Sequence, residues 1–139
     1  MRRSLHDLGC GYRSGDKGDL ANVALFAPDD AVYRLVHAEV TADRVKAHFG
    51  SLVRGPVDRY DAANVLALNF VLHDALGGGG PQSLRADSLG KTLGGALVRL
   101  ELDVPATFAG YAATAPDVGW AIAILERLPA APDARPTLD

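Results

Sequence analysis

Cysteine is nearly absent from this chain, and Cys10 stands alone. One thiol cannot close an internal disulfide, and it cannot build a cysteine-ligated zinc or iron–sulfur centre within one chain. Long apolar runs are also missing. No stretch approaches the roughly 20 apolar residues that a membrane-spanning helix requires, so no membrane role is expected. An excess of positive charge is missing too: 14 Lys and Arg stand against 17 Asp and Glu. The basic residues are scattered, which excludes the electrostatic footprint of a nucleic-acid binder. Arg2 and Arg3 near the N-terminus are not followed by an apolar h-region, so no secretory leader is expected and a cytoplasmic location is.

What remains is enough for one ordinary domain. The chain has 139 residues, 48% of them hydrophobic, which is sufficient for a core and too apolar for a disordered segment. Residues 5–12 predict a first strand, and the apolar run LANVALFA at 20–27 predicts a second, buried one. A hairpin joining them would carry residues 13–19 at its tip. Asp29 or Asp30 predicts a helix cap before Val32, Leu35 and Val36, and Thr41 a second cap before residues 42–49, with Gly50 as the stop. Residues 56–60 predict a short strand. Residues 63–76 are apolar nearly all round and predict a buried helix ending at Gly77. Residues 88–101 predict another helix, although residues 98–104 alternate as a strand would. Trp120 to Leu128 forms a terminal element of undetermined type, and residues 129–139 predict a flexible tail after a domain spanning 1–128. Strands and helices without regular βαβ alternation point to an α+β sandwich, an antiparallel sheet packed against helices.

Two polar, glycine-punctuated blocks interrupt this apolar domain. The first is RSGDKGD at 13–19, followed by Asn22. It offers Ser14, Asp16, Lys17, Asp19 and Asn22, and the oxygen-bearing side chains among them, the carboxylates and the amide above all, suit a hard cation such as magnesium. Alternatively, Lys17 meets an anionic group, or the block is only a solvated turn. The second block runs from the four glycines at 77–80 through Ser83, Arg85 and Asp87 to Gly90 and Lys91. Consecutive glycines can aim several amides at one phosphate or carboxylate, and the Arg85 guanidinium suits the same group. The dull alternative is a loop that tolerates glycine. Residues 85–92, RADSLGKT, end like a P-loop, but Arg85 stands where the first glycine must be. Neither glycine cluster satisfies G-x-G-x-x-G, and no nucleophile-elbow motif supports a serine triad. Asn69 and His73 lie one turn apart on the expected helix and read as hydrogen-bonded structural groups, with His73 a secondary acid/base candidate.

The two blocks, in order and at this separation, resemble the C-terminal domain of the acyclic terpene utilisation family, AtuA, over about residues 5–105. The residues that carry the resemblance include Arg13, Gly15, Asp16, Lys17, Asn22, Asn69, Phe70, Gly78, Gly79, Ser83, Arg85, Asp87 and Lys91. The resemblance implies a ferredoxin-like fold, a term of topology rather than of iron–sulfur chemistry. It also implies a place in breakdown of acyclic terpenes through acyl-CoA intermediates. The family supplies no catalytic residues. The expected function is an accessory or ligand-binding domain in acyl-CoA or terpenoid catabolism that holds an anionic small molecule. Its expected ligand-binding residues are Ser14, Asp16, Lys17, Asn22, Gly78, Gly79, Ser83, Arg85 and Lys91, with no cofactor and no metal. One alternative is a hydratase- or lyase-like enzyme acting on an acyl thioester, with Lys17, Asp19 or Asp87 moving protons. Another is a structural or oligomerisation module. The large N-terminal domain commonly joined to this module is absent from the sequence, so a separate polypeptide resembling it is the expected partner, and a homo-oligomer is a further expectation.

Overall fold

A computed structural model of the chain describes residues 1–112 and residue 127. Its centre is a four-stranded antiparallel sheet. The strands are β2 (Gly11–Lys17), β3 (Leu20–Phe26), β4 (Val57–Ala62) and β5 (Ala67–Leu72), in the order β2-β3-β5-β4. Short β1 (Arg2–Ser4) pairs antiparallel with β6 (Glu101–Asp103) and forms a separate ribbon. Helices α1 (Asp30–Glu39), α2 (Ala42–Phe49) and α3 (Leu93–Leu97) complete an α+β domain with an antiparallel sheet.

Side chains alternate between the two faces of a strand. The buried face carries Ala21, Val23 and Leu25 from β3 and Leu68, Phe70 and Leu72 from β5. These meet Val32 and Val36 of α1, Val45 and Phe49 of α2, and Leu97 of α3 in one core. Burying each large side chain here stabilises the fold by about 1.5–3 kcal/mol. The capping signals operate as the sequence predicts. The Asp29 carboxylate accepts from the Val32 amide at 2.9 Å, and the Thr41 hydroxyl accepts from the Arg44 amide at 3.2 Å. Gly50 ends α2 with φ of 54°.

Three expectations change. Residues 63–76 are not a helix: a 3-10 turn at Ala63–Val65 leads into β5. The run is apolar on both faces because a hairpin turn and a central strand are fused in sequence. Leu66 makes the switch between them with φ of 52°. Asn69 and His73 therefore lie along a strand direction rather than on one helical turn. The helix expected over 88–101 shrinks to Leu93–Leu97, and the alternation after Val98 belongs to β6 and its flanks, with Leu102 buried in the strand and Leu100 and Val104 buried on either side of it. The first strand is shifted as well. Residues 5–10 form turns that bury Leu5, Leu8 and Cys10, and the polar block is strand β2 itself. The hairpin tip is the two residues Gly18 and Asp19. The terminal element at Trp120–Leu128 and the tail at 129–139 lie outside the described residues.

Candidate functional site

β2 is an edge strand, and its charges follow the alternation. Paired residues of antiparallel strands share a face. Arg13, Gly15 and Lys17 pair with Ala24, Asn22 and Leu20 of β3, and Ala24 and Asn22 in turn pair with Asn69 and Val71 of β5. All of these lie on the sheet face opposite the core. Ser14 and Asp16 point the other way, towards the helices. The four oxygen donors of the cation reading therefore do not converge: Ser14 and Asp16 lie on one face, Asn22 lies on the other, and Asp19 is turned into the glycine loop. Among the described residues no three His, Cys, Asp or Glu side chains gather as a metal site would require.

The two blocks meet in space, and side chains of the first block engage backbone groups at and beside the second. The Asp19 carboxylate accepts hydrogen bonds from the amides of Leu76 at 3.1 Å and Gly78 at 2.8 Å. The Ala75 amide donates to the Asp19 carbonyl at 3.1 Å. Gly79 lies so close to the hairpin that a Cβ there would stand 2.6 Å from the Gly18 carbonyl oxygen. One amide of the glycine loop and the Leu76 amide just before it thus hold a carboxylate of this chain. The Gly78 hydrogen bond is the main reason the Asp19 carboxyl lies below its usual pKa; the Leu76 amide adds to it against some desolvation. Ser83 accepts from the Arg85 amide, and the Arg85 guanidinium donates to the Ala75 carbonyl. Gly78, Gly79, Ser83 and Arg85 are therefore placed as braces of the loop.

Asp87 braces the segment before α3. Its carboxylate accepts from the Lys91 amide at 2.8 Å, the Thr92 amide at 2.9 Å and the Thr92 hydroxyl at 2.6 Å. Burial pushes its pKa up, but these hydrogen bonds outweigh that, and the net direction is down. A carboxyl held ionised in this way is a poor proton donor near neutrality. Ser14 works on the same segment from β2. Its hydroxyl donates to the Lys91 carbonyl at 3.0 Å and accepts from the Gly94 amide at 3.1 Å. The Lys91 backbone is thereby fixed at both its amide and its carbonyl.

Among the described residues the Lys91 side chain has no such partner. Its ammonium reaches Gly15, where an added Cβ would lie 2.8 Å from Nζ. Arg13 and Lys17 flank Gly15 on the same face, each about 7 Å away at the spacing of alternate strand residues. Among the described residues, none of these three cations forms an ion pair. They border a cavity of about 480 Å³ that runs along β2 and has Leu20 and Val71 as apolar wall and Asn22 as polar floor. Asn22 donates to the Asn69 side-chain oxygen at 2.5 Å. On the far side of the same face, His73 Nε2 meets the Asp58 carboxylate at 2.7 Å.

Of the residues selected from sequence, Ser14, Asp16, Lys17, Asn22 and Lys91 border this cavity. The sequence reading left out Arg13, Leu20 and Val71 as binding residues. Strand alternation was the available signal, since Arg13, Gly15 and Lys17 share a face only if the block is a strand. A family model, the AtuA ferredoxin-like domain, matches residues 4–103. No curated protein and no solved structure matches.

Proposed function

The chain belongs to the AtuA ferredoxin-like domain family, and from that premise we propose that it is a ligand-binding accessory domain that holds an anionic small molecule along β2. The observation that carries this reading is the convergence of Arg13, Lys17 and Lys91, without ion-pair partners among the described residues, on one cavity. Unpaired cations beside a concave, partly apolar surface favour an anionic ligand with a carbon skeleton. The similarity to AtuA proteins supports a coenzyme A thioester of acyclic terpenoid catabolism as that ligand. A proton-transfer enzyme built on Asp19 or Asp87 is less favoured, because both carboxylates are taken up by backbone amides.

Thermal unfolding of the wild type and of Lys91→Ala against a panel of acyl-CoA thioesters tests the reading. A ligand present at about 100 times its dissociation constant adds roughly 2.7 kcal/mol to the stability of the state that binds it. The expected result is a rise in Tm for the wild type that is reduced in the variant. Equal shifts in both proteins would remove Lys91 from the site, and no shift with any thioester would remove the ligand class. A larger polypeptide similar to the N-terminal part of AtuA proteins is the proposed partner, and co-purification of the two chains tests it.

A further inference from the structure

Resting on that reading, we infer that the group bound between Arg13, Lys17 and Lys91 is a phosphate ester carrying two negative charges, not a carboxylate. Charge is the first reason. Three cations border the cavity, and Asp16, the one carboxylate among its described lining residues, has its side chain on the other face of β2. Even with Asp16 counted in full, at least two positive charges face the ligand. A dianion matches this excess of positive charge more fully than a monocarboxylate does.

Geometry is the second reason. Gly15 leaves a gap in the row Arg13, Gly15, Lys17, and the Lys91 ammonium occupies the space that a side chain would fill. The Lys91 ammonium therefore stands between Arg13 and Lys17 along the row, while the Lys17 ammonium rests on the Asp16 carbonyl at 3.2 Å. A flat carboxylate presents two oxygens in one plane, while a phosphate presents three that diverge. The third reason is preorganisation. The Lys91 main chain is fixed by Asp87 and Ser14, so less freedom is lost when its ammonium engages a ligand.

Beyond the three cations the wall is apolar, formed by Leu20 and Val71. The phosphate is thus the head of an organic molecule that extends across β3 and β5. For a coenzyme A thioester, the arrangement assigns the phosphate end, rather than the acyl carbonyl, to β2.

The test uses two isosteric probes, phenyl phosphate and phenyl sulfate, titrated calorimetrically into the full chain. They share a ring and a tetrahedral head and differ in charge. Phenyl phosphate is expected to bind at least roughly tenfold more tightly at pH 8, and its affinity should fall as the pH drops through about 6, where a phosphate monoester takes up its second proton. Lys91→Ala and Arg13→Ala should each weaken it by roughly tenfold or more. The urea midpoint of each variant, read alongside, separates a lost contact from a lost fold, and Lys91→Met serves as a second variant that keeps the apolar stem. Equal affinity for phosphate and sulfate would overturn the dianion assignment and leave an anion site standing. Binding of neither probe would overturn both this assignment and the anion site itself. Phosphate binding unchanged in every variant would place the site elsewhere and overturn the assignment. Stronger co-sedimentation with phosphatidic acid vesicles than with phosphatidylcholine vesicles, without binding of soluble phenyl phosphate, would give the phosphate to a lipid surface and overturn the small-molecule ligand.

Discussion

Replacing Gly79 by alanine should separate the two halves of the site, and Gly18→Ala provides the matched control. Both glycines have positive φ, 66° at Gly18 and 87° at Gly79, so alanine is strained at either position. A left-handed backbone costs a side-chain-bearing residue about 1–2 kcal/mol. At Gly18 that is the whole effect, because an added Cβ meets no atom within 4 Å. At Gly79 the Cβ would stand 2.6 Å from the Gly18 carbonyl oxygen and 2.9 Å from its carbon. Those are backbone atoms of a two-residue hairpin turn and cannot swing aside as a lysine tip can. Overpacking of this kind adds about 1–3 kcal/mol. Gly79→Ala should therefore cost about 2–5 kcal/mol and exceed Gly18→Ala by about 1–3 kcal/mol. Urea unfolding followed by circular dichroism reads the difference. With an m-value of roughly 1–3 kcal/mol per molar, the two midpoints should differ by about 1 M. Equal midpoints would refute the reasoning, because the glycine loop would then not be seated on the β2–β3 turn.

Gly15→Ala should have the opposite profile. Glycine inside a strand is roughly 0.5–1 kcal/mol worse than alanine, and the new Cβ meets only the flexible tip of Lys91. Stability should stay level or rise while affinity for phenyl phosphate falls; undiminished affinity would remove Lys91 from the site. Acid should weaken the contact between the two blocks. The folded-state pKa of Asp19 lies below its ordinary value, chiefly through the Gly78 amide. Its contribution is therefore present above the unfolded value of about 3.9 and is lost as pH falls through the lower folded value. Urea midpoints for wild type and Asp19→Asn should differ at pH 7 and converge in strong acid, and a constant gap would refute this. Burial raises the Cys10 thiol to about 12, with a smaller contribution from the Asp29 charge. Iodoacetamide at pH 8 should leave folded protein unmodified and alkylate it in urea. Fast modification of the folded chain would show Cys10 to be accessible.

The sequence by itself determined what depends on near neighbours. The caps at Asp29 and Thr41 and the stop at Gly50 use hydrogen bonds that span three or four residues, so residue type and local order suffice. The mixture of predicted strands and helices without regular βαβ alternation also pointed to the α+β class, and the spacing of the two polar blocks pointed to the family. Tertiary structure decided everything that depends on which strands pair. Residues 67–72 are apolar on both faces, and helix or strand was settled only by ladders to β3 and β4. Pairing also fixed the two faces of β2. Reading the first block as a hairpin tip hid the shared face of Arg13, Gly15 and Lys17; the register with β3 displays it. The roles of Asp19, Arg85 and Asp87 were equally hidden. Their charges suggested chemistry, but each satisfies backbone groups of the glycine loop or of the turn before α3, and for Asp19 those groups lie far along the chain. Lys91 joins β2 through the Ser14 hydroxyl across 77 positions of sequence. Only a folded core holds two such segments within hydrogen-bonding distance, because closing a loop of that length has an entropic cost that no local signal repays.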